Sequence, residues 1–357
     1  MKAAFVHYWL VNRRGGEAVL EAIGELLPDA DLISHVIDPK ALYGSLVGRK
    51  QIETFISRLP MAQRRYAAYL PLMPLALEML DVNEYDLIVS SEAGPAKWII
   101  PNPDARHICY CHSPMRYVWD QRKEYFSKLP APLRPLAELY GSQLRKSDSL
   151  SAMRVDEFVA NSNFVARRIW KYYRREAEVI YPPVDVNGFT VSEDISDAYL
   201  IAGELRSYKR VDLAVRACTE LGRRLVVIGS GPSDALKKMA GPTVEFRGRV
   251  DQVEFRKALS ECRALLFPGI EDFGIVPVEA MASGRPVIAY GKGGGVESVK
   301  DGVSGLHFHD ASVEGLKQAI LAFEAEQHHF SPQACVEQAA LFSRESFKAN
   351  FGALLAR

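Results

Sequence analysis

Residues 263–284 read RALLFPGIEDFGIVPVEAMASG. The first seven form an apolar run closed by Pro-Gly, which spells a buried strand ending in a turn. A tight loop then leads into a helix. Pro277 fits its first turn, where a missing N–H costs little, and Gly284 fits its stop. Strand, loop and helix in that order, repeated, make parallel βαβ units. The loop also sets the backbone N–H groups of Phe273, Gly274 and Ile275 at a helix N-terminus, ready for phosphate or sugar hydroxyls. Glu271 stands before the helix and Glu279 one to two turns inside it. A carboxylate accepts two hydrogen bonds from a vicinal diol, so ribose is a fitting partner. The competing reading makes both glutamates solvated charges. Asp272-Phe273-Gly274 is also the metal-holding triplet of protein kinases. No Gly-rich strand loop, strand lysine or HRD-type loop precedes it here, so Asp272 receives no metal role.

The same alternation extends in both directions. Upstream, strands are predicted at 3–10, 31–37, 85–91, 105–111, 157–162 and 178–183. It restarts at 198–204, 223–231, 243–248, 263–269, 285–291 and 304–310. Two successive open parallel sheets predict an α/β protein of two Rossmann-like domains with a cleft between them, ligands binding at the carboxyl ends of the strands. PPVDVNGFTVSEDISD (182–197) reads as the linker, which puts the domains at 1–182 and 183–342. The last segment, 343–357, reads as a helix with Ser343 as N-cap, expected to pack back on the first domain.

Composition removes several function classes. Lys plus Arg and Asp plus Glu both number 44, for a formal net charge of zero, where a general nucleic-acid binder carries a basic excess. No apolar run reaches the ~18 residues of a membrane span. The N-terminus lacks signal-peptide form, because His7 breaks its apolar part and Gly15-Gly16 follow. Five cysteines without scaffold spacing read as reduced thiols, which predicts a cytoplasmic protein. Cys109, Cys111 and His112 lack a second ligand cluster, so no metal site and no cofactor are expected. FISRLPMAQRRYAAYLPLMPLALEML (55–80) mixes Arg, Tyr and aliphatic residues. It reads either as an interfacial segment on the inner face of a membrane or as domain core and edge broken by Pro60, Pro71 and Pro74.

Taken together, these stretches resemble the glycosyltransferase family 4 enzymes of GT-B architecture. Glu271 through Glu279 matches the family's E-x7-E motif, and MASGRPVIAYGKGGGVESVKDGVSGLHF (281–308) its following Gly-rich loop. LIAGELRSYKRVDLAVRA, VVIGSGP and VEFRGRV fall in the family's order, as do GGEAVLEA, CYCHSPMRYVWD, FVANSNFVARRI and VIYPPVDV. The last three look most like enzymes that build bacterial O-antigen and other surface polysaccharides, many of them mannosyltransferases. The resemblance covers nearly the whole chain.

It implies retaining transfer of a hexose, mannose from GDP-mannose foremost, to a saccharide acceptor carried on a polyprenyl lipid, without an obligatory metal. Glu279 is expected to hold ribose. Glu271, with the Phe273–Gly274–Ile275 backbone, is expected to hold the donor sugar, and Lys209 the diphosphate. Arg249 and Val250 are expected near the base, Gly15 and Gly16 against phosphate, and His112 beside the transferred sugar. Arg116, Tyr117, Trp119 and Asp120 either line an acceptor pocket or pack their loop. One position departs from the family: Glu204 stands where a second diphosphate cation is usual, and Arg210 or Arg206 is expected to substitute. A carboxylate ~4 Å from a diphosphate would repel it by about 1–4 kcal/mol. Transfer to a soluble small acceptor, or a weakly active binding subunit of the same fold, are the alternatives.

Overall fold

The computed structural model describes residues 1–13, 15–231 and 234–357. The end of the VVIGSGP run, Pro232, lies outside them. The chain forms two compact units, 1–182 with 348–357, and 183–347.

The first unit holds a sheet of seven described strands: β1 (Ala3–His7), β2 (Asp31–Ser34), β3 (Gln51–Glu53), β4 (Leu87–Glu92), β5 (Arg106–Cys111), β6 (Glu157–Ala160) and β7 (Ala177–Val179). They are all parallel, in the order β3-β2-β1-β4-β5-β6-β7. The order reverses between β1 and β4, and the carboxyl ends at such a switch point are where doubly wound sheets bind ligands. His7 ends β1 and pairs in register with Ser91 of β4. Central strands are buried along their whole length, which is why they read as unbroken apolar runs.

In the second unit, β8 (Tyr199–Ala202), β9 (Leu225–Ile228), β10 (Val244–Gly248), β11 (Leu265–Phe267), β12 (Val287–Tyr290) and β13 (Gly305–Phe308) lie parallel in the order β10-β9-β8-β11-β12-β13. Its switch point falls between β8 and β11. Its core packs Tyr199, Ile201, Leu266, Ile288 and Phe323 together with the helix Val211–Leu221. Each unit is thus a Rossmann-like α/β fold.

Local chemistry sets the helix ends. Ser162, Asp251, Ser312 and Ser331 each accept a hydrogen bond from a first-turn N–H. Ser343 Oγ accepts from Ser346 N at 3.1 Å and caps the helix Arg344–Leu355. From Lys348 onward that helix belongs to the first unit, where Arg106 donates to the carbonyls of Leu354 and Leu355.

The structure corrects one reading and details two others. The strand β3 is absent from the sequence reading, because its Gln-Ile-Glu lies on an exposed sheet edge and carries no apolar pattern. The units divide at the start of the 182–197 linker, and much of that linker is packed: Val184 N–H donates to Phe342 O at 3.0 Å, Ser192 O accepts from Arg285, and Phe189 is buried. The 55–80 segment is a series of short turns and helices, with Ile56, Ala62, Met73 and Ala76 facing a core cluster. Its Met61, Leu72, Leu75 and Met79 remain exposed.

Candidate active-site residues in each unit

In the second unit the switch point brings two predicted residues together. After β8, a turn at Ser207–Lys209 leads through Arg210, at φ 51°, into the helix Val211–Leu221. After β11, the loop 268–274 leads into the helix Ile275–Ala282. Lys209 Nζ lies 3.0 Å from Glu271 Oε1, and both side chains are largely buried. That oxygen has no aligned hydrogen bond, so the contact is an ion pair with donor capacity left on the ammonium. Glycine makes the approach possible: a Cβ at Gly269 would fall 2.5 Å from Lys209 Cα, and one at Gly203 would fall 2.8 Å from Lys209 Nζ.

The helix N-terminus is built with equal economy of space. Gly274 takes φ 88°, which only glycine adopts without strain, and a Cβ there would reach Phe267 at 2.8 Å. Phe273 turns its ring inward against Phe342, at 5.5 Å between centroids. Phe273 is therefore an anchor, and the donor groups at this end are the first-turn N–H groups, which have no intrahelical partner. The Gly-rich loop seats directly on this turn. Gly294 N–H donates to Glu271 O at 2.8 Å, and a Cβ at 294 would lie 2.2 Å from Asp272 O.

Glu279 sits in the second turn of that helix, and its carboxyl has no hydrogen bond or ion pair among the described residues. Burial pushes it up to about 7, with Arg256 and Lys209 opposing the shift and Asp185 adding to it. Arg256 is shared with Asp185, at 3.2 Å, and stacks on Phe189. The two cations expected to substitute at the departure are engaged elsewhere. Arg206 pairs with Glu204 itself at 3.1 Å, and Arg210 holds Asp212 through two nitrogens at 3.1 Å each. Glu204 is thereby partly neutralised, and exposed pairs of this kind are worth at most about 1 kcal/mol, so release to a diphosphate is cheap. Arg249 and Val250 follow β10, two strands out from the switch point.

In the first unit His112 lies just past β5. Its N–H donates to Glu92 O at 2.8 Å, its carbonyl accepts from Asn161, and its Nε2 lies 2.8 Å from Ser91 Oγ. Burial lowers its ring to about 4, so it is a neutral imidazole at pH 7. Gly16, in the first turn of the helix Gly15–Leu26, packs over it: a Cβ there would meet Tyr8 Oη at 3.3 Å and His112 Nε2 at 3.5 Å. Of the four candidate acceptor residues, two turn inward. Trp119 donates to Asp148 at 2.7 Å and stacks on Tyr172, and Tyr117 donates to Met115 Sδ. They pack the loop. Asp120 accepts from the buried Arg168 at 2.6 Å, with Arg116 at 3.7 Å from its other oxygen.

Sequence reasoning missed a buried charged group beneath this loop. Lys97 is fully enclosed, donating to Glu92 Oε1 at 2.6 Å, to Asp148, and toward Tyr173. Burial pushes Glu92 up to about 7, against the pull of Lys97. Nothing in SSEAGPAK marks its lysine as interior. His7 and Ser91 were missed too, and only strand register could have found them. No group of three or more His, Cys, Asp or Glu among the described residues is placed to hold a metal ion.

Known proteins agree with the fold. Sucrose-phosphate synthase from Thermosynechococcus elongatus superposes with a TM-score of 0.74 at 16% identity, covering 100% of this chain and 98% of that one. Anabaena HepE in complex with UDP gives 0.72 at 15% identity, with 100% of both chains covered. The architecture is therefore GT-B. Residues 13–187 match the family model described as Glycosyltransferase Family 4, and residues 196–325 match Glycosyl transferases group 1. Both models describe glycosyltransferases, and together they support a place for the chain in glycosyltransferase family 4. A D-inositol 3-phosphate glycosyltransferase of Nocardioides sp. is 30% identical over 236 residues, 53% of this chain and 51% of that protein, so the match spans about half the relative's length. Human alpha-1,3/1,6-mannosyltransferase ALG2 is 25% identical over 328 residues, 76% of each protein.

Proposed function

We propose that the protein transfers a hexose, with retention of configuration and without a metal, from a nucleotide diphosphate sugar to a saccharide acceptor. The observation that carries the reading is the Lys209–Glu271 pair set at the head of the helix that bears the unpartnered Glu279. A diphosphate leaving group develops negative charge, and a fixed ammonium and helix N–H groups offset it without reorganising. Glu271 is suited to accept from the donor sugar's hydroxyls, and Glu279 from those of ribose. His112, neutral, serves as a hydrogen-bond partner to the transferred sugar rather than as a cation.

Mannose and GDP-mannose are the favoured donor pair, supported by the likeness to ALG2, a mannosyltransferase by name. The UDP bound to HepE makes a uridine donor the competitor. A thermal-shift panel of GDP, UDP, GDP-mannose and UDP-glucose separates them. A ligand at about 100 times its Kd adds ~2.7 kcal/mol, or about 5–10 °C for a unit of this size. We expect GDP and GDP-mannose to give that shift. Silence from every nucleotide would remove the transferase reading, and binding without product would favour a binding subunit.

The acceptor is a lipid-linked saccharide, as in bacterial surface-polysaccharide synthesis, met at the inner face of the cytoplasmic membrane. What supports this is the exposed apolar set Leu72, Leu75 and Met79, with the exposed Arg64 and Arg65 earlier in the same segment. The exposed Leu136 and Leu139 lie on the helix Arg134–Ser151, which Tyr140 ties to Leu70 O. No helix among the described residues is long and apolar enough to cross a membrane.

A further inference from the structure

Three side chains at the switch point of the first unit, the buried His7 and Ser91 and the half-buried His112, form one hydrogen-bonded chain. His112 Nε2 lies 2.8 Å from Ser91 Oγ, and the same oxygen lies 3.0 Å from His7 Nδ1. His7 and Ser91 are wholly enclosed. The far nitrogen of His7, Nε2, has no hydrogen-bond partner and faces Glu17 Oε1 at 4.0 Å, on the helix that begins at Gly15 and Gly16. The alignment follows from the fold, since His7 and Ser91 are register partners on adjacent strands.

We propose that His7 and Ser91 are positioning residues that fix the ring and the tautomer of His112, with Glu17 backing the chain. The proposal rests on the reading of His112 as the sugar's partner. The chemistry is that of a single hydroxyl between two rings. Ser91 has one proton to give, so if it donates to one histidine it must accept N–H from the other. The two tautomers are thereby coupled, and His112 presents one defined group, N–H or lone pair, at Nδ1. Both rings stay neutral at pH 7, which makes the tautomer the relevant variable. Burial holds His7 down at about 3, helped by His112 and opposed by the Ser91 carbonyl, and burial holds His112 at about 4. A ring free to turn or to exchange tautomers would lose its aim at a sugar hydroxyl, and a misplacement of ~1 Å costs on the order of 100-fold.

The test uses the full chain and two readouts. Ser91→Ala is expected to lower kcat by about 10–100-fold while leaving nucleotide affinity within twofold. His7→Leu should do the same. His7→Asn, whose amide overlies Nδ1 and can still meet Ser91, should recover most of the loss. Nitrogen NMR on histidine-labelled protein should show one neutral tautomer of His112 in the wild type and in His7→Asn, and an averaged signal in Ser91→Ala and His7→Leu. An unchanged His112 signal in Ser91→Ala overturns the proposal, as does equal loss in His7→Asn and His7→Leu, which would mark a merely structural site. If Ser91→Ala does not fold, the two His7 variants decide alone. If the protein proves to transfer no sugar, the functional reading falls, and the NMR arm still decides whether the chain orders His112.

Discussion

At the scale of single residues, Glu279 is a buried carboxyl whose proposed role and whose stability cost have opposite pH senses. A carboxyl raised to about 7 by burial is neutral for part of the physiological range. Its folded value lies above its unfolded one, so the stability it contributes is present below the ordinary carboxylate range and is lost as pH rises through 7. The proposed ribose binding has the opposite sense, because the ionised form accepts at both oxygens while protonation turns one of them into a donor. Nucleotide affinity should therefore fall as pH drops through 7. Glu279→Gln should weaken nucleoside diphosphate binding by about 10–100-fold, the worth of charged hydrogen bonds. It should also raise the melting temperature at pH 8 by a few degrees, about 2–4 °C per kcal/mol. Calorimetry between pH 5.5 and 8.5 reads both effects, and a wild-type affinity flat across that range would refute the assignment. Glu271, Glu279, Lys209 and His112 could be named as candidates from the sequence because each sits at a fixed offset from a strand end or within a familiar spacing. That Lys209 grips Glu271, and that His112 leans on Ser91 and His7, was not. Those contacts depend on which strands lie side by side, and a string of residues does not state strand order.

At the scale of elements, strands buried on both faces announced themselves, and the exposed edge β3 did not, because its alternating polar residues look like any loop. Loops were legible for a different reason: their glycines are steric necessities. The Gly-rich loop 291–295 rests on the turn that starts the helix Ile275–Ala282, with no room for a methyl group at 294. Gly294→Ala must push Asp272 and Phe273 aside, so it should destabilise the protein by at least about 2 kcal/mol and abolish nucleotide-induced stabilisation. Gly302 is the control. It has φ 71° but open space where a Cβ would go, so Gly302→Ala should cost only about 1–2 kcal/mol of backbone strain and leave nucleotide binding intact. Chemical denaturation with and without nucleotide measures both. Equal effects of the two substitutions on binding would show that the loop contact is irrelevant to the site.

At the scale of the whole molecule, zero net charge carries a consequence for the membrane. A neutral protein gains nothing from its overall field near an anionic surface, so attachment has to come from a local patch. On the proposed reading that patch is the broken 55–80 segment: its inward residues complete a core cluster, while Leu72, Leu75 and Met79, and Arg64 and Arg65 earlier in the segment, stand exposed. Pro60, Pro71 and Pro74 lie where the segment is cut into short turns and helices, and these leave apolar side chains exposed. Each large apolar side chain that leaves water contributes up to ~1.5–3 kcal/mol, and each arginine at an anionic surface about 1 kcal/mol that salt screens. Flotation with vesicles containing anionic lipid should therefore recover the protein at low salt and retain part of it at 0.5 M salt, an ionic strength that screens charge beyond ~5 Å. The combined Leu72→Ser, Leu75→Ser and Met79→Ser variant should lower recovery at least about tenfold while nucleotide binding is unchanged. Loss of all binding in salt, with no effect of the triple variant, would make the contact purely electrostatic and place it elsewhere on the surface. No flotation of the wild type would favour a water-soluble saccharide acceptor.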